Sequence, residues 1–204
     1  MRFFDFLFPP RADEIVLRGV SDDAFLAAVA PRLVPATRPG TIALLPFNAL
    51  GVRSAIHEAK YRGNGRALRL LGSALADYLR DMDDVGRRTS NIYLIPVPLG
   101  KERHRERGFN QVEEVMKRAA RGLEMKIETN LLVRTRETTS QVSLPRTARE
   151  ENMRGAFGVA HPADPAYTYI VIDDVLTTGA TLQAAIDALQ NAGVNHIIPL
   201  ALAH

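Results

Sequence analysis

Two adjacent acids, Asp173 and Asp174, close an apolar run beginning at Tyr169, and Thr177-Thr178-Gly179-Ala180-Thr181 follows three positions later. The residues before the acids have the apolar, β-branched character of a parallel strand covered on both faces. The residues after them offer hydroxyls and unhindered backbone N–H groups where an amphipathic helix begins, running to about Ala192. A helix N-terminus with orphan donors is a phosphate site, and carboxylates beside it accept hydrogen bonds from vicinal hydroxyls. Together they suit a phosphorylated sugar. The plainer alternative, a strand end that caps a helix, uses one acid and not two.

Two further constellations add charge. Ile95-Pro-Val-Pro-Leu-Gly-Lys-Glu-Arg-His-Arg-Glu-Arg-Gly-Phe-Asn-Gln111 reads as a strand end, a rigid turn, a basic segment and a helix start. Lys101, Arg103, Arg105 and Arg107 concentrate positive charge there, just beyond a strand's C-terminal end, and Asn110 suits a helix cap. A solvated basic loop, partly offset by Glu102 and Glu106, is the competing reading. The polar stretch from Thr138 to Phe157 carries Gln141, Arg146, Arg149, Asn152 and Arg154, and it suits a loop that closes over reacting phosphates.

The segment Tyr169–Thr181 resembles the phosphoribosyl-diphosphate (PRPP) motif of type I phosphoribosyltransferases over all thirteen positions. With Lys60-Tyr61-Arg-Gly, Pro96-Val-Pro-Leu through Arg107-Gly-Phe-Asn-Gln111, Thr139-x-Gln141-x-x-Leu144, Arg149-x-x-Asn152 and Ala156-Phe157, the chain resembles the ComF family of competence-associated phosphoribosyltransferase-like proteins over about residues 50–204. The resemblance implies a type I phosphoribosyltransferase fold. In it, Asp173 and Asp174 bind the ribose hydroxyls and Thr177, Thr178, Gly179, Ala180 and Thr181 the 5′-phosphate. Lys101, Arg103 and Arg107 face the diphosphate, and Gln141, Arg149 and Asn152 belong to a closing loop. Mg²⁺ is implied as a cofactor held mainly by PRPP oxygens. Thr177 stands where purine-salvage relatives carry an Asp, which disfavours a purine acceptor. Met1-Arg2 lacks the cysteine needed to release ammonia from glutamine. Transfer to an unidentified acceptor is thus one expectation. The alternative is a non-catalytic module binding PRPP or single-stranded DNA, with competence or recombination proteins as partners. Self-association into a homo-oligomer stays open.

The elements that must position these groups alternate between strands and helices, which argues for an α/β parallel sheet covered on both faces, with a small hood. Strands are expected at 15–17, 41–45, 91–96, 131–134, 156–159, 168–173 and 196–202. Helices are expected from Ser21-Asp22-Asp23, over 48–61, 66–79, 109–123 and 180–192, with Val112, Val115, Met116 and Ala119 as a buried stripe. Residues 1–40 read as an N-terminal extension and 41–204 as the phosphoribosyltransferase-like domain. With no cysteine among 204 residues, the chain has no disulfide and no Cys-ligated zinc, so the extension cannot be the cysteine-rich module that many relatives carry. Five scattered histidines show no metal-ligand spacing. The net charge of +3 permits polyanion contact without demanding it. No export signal or membrane span is read, and a cytoplasmic location is expected.

Overall fold

A computed structural model describes residues 11–84, 91–121, 123, 125–137 and 146–204. The chain opens with helices α1 (Ala12–Gly19) and α2 (Asp22–Leu26), strands β1 (Arg32–Val34) and β2 (Thr41–Leu45), and helices α3 (Leu50–Arg62) and α4 (Gly65–Asp84). Strand β3 (Ile92–Pro96), helices α5 (Lys101–Arg107) and α6 (Gln111–Ala119), and strands β4 (Lys126–Ile127) and β5 (Leu132–Arg134) follow. Helix α7 (Arg146–Met153), β6 (Phe157–Val159), β7 (Thr168–Val175), α8 (Ala180–Asn191) and β8 (Ile197–Ala203) complete it.

Among the described residues, six strands form one sheet in the order β1-β2-β8-β7-β3-β4. Only the β1–β2 pair is antiparallel; the other neighbours run parallel. The fold is therefore α/β with a mostly parallel sheet flanked by helices, consistent with the type I phosphoribosyltransferase fold. Strand β3 is followed by β4 on one side, and β7 by β8 on the other. The direction of winding thus reverses between β3 and β7, and open α/β sheets take ligands in the crevice at the C-terminal ends of such strands. Pro96 pairs with Ile172 at that end, and the Val97 N–H extends the pairing to the Ile172 carbonyl at 2.9 Å.

Burial on both faces holds this edge in place. Ile170 and Ile172 enter one core cluster with Leu75, Leu94 and Met116, while Tyr169 and Val171 enter the opposite cluster with Ile95, Ile186 and Leu189. The α6 stripe is buried as expected, in the first of these clusters. Strands β5 and β6 make a separate antiparallel ribbon, and with Met153 of α7 they add Leu131, Leu132 and Phe157 to the second cluster, beside α8.

One local expectation is overturned. Residues 15–17 lie in helix α1, not in a strand. Their β-branched character favours an extended chain locally, but propensity is weak beside tertiary contacts. Leu17 is buried, and Arg11 grips the buried Glu58 of α3 with two hydrogen bonds of 2.9 and 3.1 Å. Asp13 accepts from Ser54 at 2.8 Å. Helix α2 begins where expected, with the Ser21 hydroxyl accepting from the Ala24 N–H.

Candidate functional site

Strand periodicity sends neighbouring side chains to opposite faces. Asp174 continues the Ile170–Ile172 side and Asp173 the Tyr169–Val171 side, so the two acids meet different surroundings.

Asp174 is buried, and its Oδ2 accepts from Gln111 Nε2 at 2.6 Å and pairs with Lys60 Nζ at 2.9 Å. Gln111 opens α6, where Asn110 acts as N-cap by accepting from the Val112 N–H at 3.0 Å. The Asn110 amide also donates to the Val97 carbonyl at 3.0 Å, fastening this cap to the end of β3. The Gln111 amide oxygen accepts from Arg107 Nη1 at 3.2 Å, and the Arg107 guanidinium lies 5.2 Å from the centre of the Tyr61 ring. Burial pushes the Arg107 pKa down, while Asp174 pushes it back up. Gly63 ends α3 with φ at 59°, and a Cβ there would lie 3.2 Å from Phe109 Cζ. The Lys60-Tyr-Arg-Gly63 and Arg107-Gly-Phe-Asn-Gln111 segments are therefore one bracket around Asp174. Removing Lys60 or Gln111 would strip a buried carboxylate of a partner, which is destabilising because the remaining charge is left less well compensated.

Asp173 is half-buried. Its Oδ1 accepts from the Asp174 N–H at 2.8 Å. Burial, and then the Asp174 charge, push its pKa up to about 7; the Asp174 N–H, Lys60 and Arg103 oppose them. A carboxyl raised this far is only partly ionised near neutral pH, and a nearby cation would favour its ionised form.

The glycine loop behaves as a helix start. Gly179 is the N-cap of α8 with φ at 81°, and a Cβ there would meet the Ala36 carbonyl oxygen at 2.5 Å. Only glycine allows the N-terminal segment to lie this close. Ala180 N–H makes a long 3.4 Å contact to Thr178 Oγ1, while Thr177 is exposed and Thr181 half-buried. The recess between Asp173, Thr177, Gly179 and Thr181 measures only about 10 Å³.

The basic segment is helical over Lys101–Arg107, where the sequence suggests only a charged stretch beyond a turn. Lys101 is exposed and Arg103 half-buried, and the charge of Arg103 reaches Asp173 and Arg134. Asn152 lies on α7, where its carbonyl accepts from Arg136 at 2.9 Å. Gln141 and the side chain of Arg149 fall outside the described residues. Sequence reasoning missed Arg134 and Glu137 at the site, because neither lies in a motif whose spacing suggests chemistry. Lys60 and Gln111 were visible as signature residues but not as partners of Asp174.

A mostly parallel sheet with an acid pair at its switch point and a glycine loop opening the next helix is consistent with the phosphoribosyltransferase-like fold class. Comparison with known proteins narrows this. The chain is 32% identical over 131 residues to the DNA utilization protein YhgH of Escherichia coli O6:H1, covering 62% of this chain and 56% of that one. It is 31% identical over the same shares to YhgH of Escherichia coli K12. Competence protein F of Haemophilus influenzae is 33% identical over 106 residues, 51% of this chain and 46% of that one. These homologues support a relationship to the ComF family. The chain spans about half the length of the curated relatives it matches. No protein-family model matches it.

Proposed function

We propose that this protein binds PRPP together with Mg²⁺ and transfers the phosphoribosyl group to an acceptor with release of diphosphate, in a cell process that handles DNA. The single observation that carries the reading is the acid pair at the β3–β7 switch point, with Asp174 braced by Lys60 and Gln111 and Asp173 held up near pH 7. The names of the relatives, competence and DNA utilization, support the cellular setting. Asp174 offers its Oδ1 to a ribose hydroxyl, since both described contacts share Oδ2. Asp173 offers a second carboxylate once it gives up its proton. The α8 N-terminus and the Thr177–Thr181 hydroxyls take the 5′-phosphate.

The acid pair also fits the implied ion. Two adjacent carboxylates, one of them raised first by burial and then by the charge of the other, gain from a nearby cation. Among the described residues no cluster of three metal-ligating side chains stands here, so substrate oxygens would supply most ligands. Bound Mg²⁺ would neutralise charge on the departing diphosphate. In the transfer, the bond from the anomeric carbon to the diphosphate oxygen breaks, its electrons leave with diphosphate, and the acceptor bonds to that carbon. The carboxylates stabilise positive charge that develops on the ribose ring.

Calorimetric titration of Mg²⁺·PRPP tests this. Wild type should bind saturably, and Asp173→Asn/Asp174→Asn should show no binding heat while remaining folded. Absence of heat with wild type, or equal binding by the double variant, overturns the reading. Diphosphate release over an acceptor panel then separates transfer from binding alone.

A second reading, binding of single-stranded DNA, is favoured by a separate cleft of about 500 Å³ lined by Arg69 and Arg80 of α4, Arg118 of α6 and Arg121 just beyond α6, with Ser73 and Asp77. Helices α4 and α6 cross tightly above it, a Cβ at Gly72 lying 2.8 Å from Arg118 Cβ. Arg80 is paired with Asp77 and Arg118 with Glu114, while Arg69 and Arg121 are exposed. Among the described residues no aromatic side chain lines the cleft, which suits phosphate contact without base stacking. Affinity for a labelled oligothymidine should fall with salt. Arg69→Glu/Arg121→Glu should flatten the logarithmic slope by about 0.7 per lost phosphate contact. A slope unchanged by the substitutions removes this cleft from consideration.

A further inference from the structure

Arg134 stands beside the candidate site without belonging to any recognised motif. It leaves β5 half-buried, its guanidinium 5.4 Å from the centre of the Phe157 ring, with Nε donating to the Arg136 carbonyl at 3.3 Å and Nη2 4.0 Å from Met153 sulfur. These contacts fix the guanidinium plane. Burial, and then the charge of Arg103, push its pKa down, while Glu137 and Asp173 push it up. Arg134 is thus in the electrostatic field of both Arg103 on the basic helix and Asp173 of the acid pair.

The turn between β3 and α5 is where these groups meet. Glu137 Oε1 accepts from the Lys101 N–H at 2.8 Å. The point where a Cβ of Gly100 would stand is 2.7 Å from Glu137 Oε2 and 3.6 Å from Arg134 Nε. A carboxylate of the protein itself therefore lies against the glycine turn, on a backbone donor, within reach of a fixed guanidinium.

We infer that Arg134 binds the diphosphate arm of the ligand and that Glu137 is an internal competitor, holding the Lys101 N–H until a phosphate oxygen displaces it. This rests on the PRPP reading above. The donors suit either anion, but a diphosphate brings more charge and more acceptor oxygens than one carboxylate, and the planar fork of Arg134 matches them. Glu137 is exposed and three residues from Arg134, so it can swing into solvent while Arg134 stays in place. The competitor lowers apparent affinity by the fraction of molecules in which it has moved away. Gly100 matters for the same reason: a side chain there would occupy the space that either anion needs.

Three probes separate the possibilities: Mg²⁺·diphosphate, Mg²⁺·PRPP and ribose 5-phosphate, each titrated into wild type, Glu137→Gln and Arg134→Gln. Glu137→Gln should tighten the two diphosphate-bearing probes by about 3–10-fold. Arg134→Gln should weaken them by about 10–100-fold. Ribose 5-phosphate should bind all three proteins alike. If wild type binds none of the probes, the PRPP reading falls, and this inference with it. If wild type binds PRPP but Glu137→Gln binds diphosphate no more tightly, the competitor role is overturned. Unchanged diphosphate affinity in Arg134→Gln overturns the arginine's role. Glu137 is exposed, so its variant keeps the test decisive even if the arginine variant fails to fold.

Discussion

Asp173→Asn should melt several degrees above wild type at pH 8 while binding Mg²⁺·PRPP about 10–100-fold more weakly. The two effects share a cause. In the folded protein the Asp173 carboxyl is raised from about 3.8 to about 7, first by burial and then by Asp174. Between those values the folded chain holds a proton that the unfolded chain has lost. Stability therefore falls as pH rises through that window and stays reduced above 7. The neutral amide escapes this penalty and can still accept from the Asp174 N–H, so its advantage should grow from pH 4 to 7 and then level off. Every tenfold rise in proton affinity on folding corresponds to about 1.4 kcal/mol, and partial solvent contact brings the gain to roughly 1–3 kcal/mol. For a chain of this size that is a rise of about 2–10 °C. The wild-type affinity for Mg²⁺·PRPP should climb with pH up to about 7, because the ligand requires the ionised acid. Thermal melts and titrations at pH 5.5 and pH 8 check both signs. A variant less stable than wild type at pH 8 would contradict the burial argument. Asp174→Asn should behave oppositely and lose stability, since Lys60 then loses its carboxylate partner.

Gly179→Ala should be among the most destabilising single-methyl additions in the chain. The added carbon would sit 2.5 Å from the Ala36 carbonyl oxygen, and the φ of 81° is one that side-chain-bearing residues avoid. The left-handed backbone costs about 1–2 kcal/mol, and pushing back a backbone segment adds about 1–3 kcal/mol. Gly193→Ala provides the control. Its φ is 89°, but no atom lies within 4 Å of the new Cβ, so it incurs the backbone cost alone. The difference between the two midpoints in urea isolates the close approach of residue 36 to the loop. Equal midpoints would mean that the 34–41 connection yields freely and does not brace the loop.

Local pattern carried a large part of this protein into view. The apolar run ending in two acids, the small residues after it and the α6 stripe are contiguous or periodic features. Strand β7, helix α8 and the place of Asp173 and Asp174 at a strand end were therefore legible. The signature residues Lys60, Tyr61, Arg107 and Gln111 were legible as types, but their shared purpose was not. Gln111 is 63 positions from Asp174, and Lys60 is farther still. Helix α1 defeats a local reading because its β-branched residues point to a strand until Leu17 finds the core and Arg11 finds Glu58. The sequence by itself determined which residues carry charge, which segments alternate, and that a small-residue loop with a glycine follows an acid pair. Only the tertiary structure decided that the acids face opposite sides of the sheet, one braced by Lys60 and Gln111 and the other raised toward neutral pH. Periodicity acts between neighbours along the chain, whereas burial and charge pairing are set by elements that the sheet order brings together.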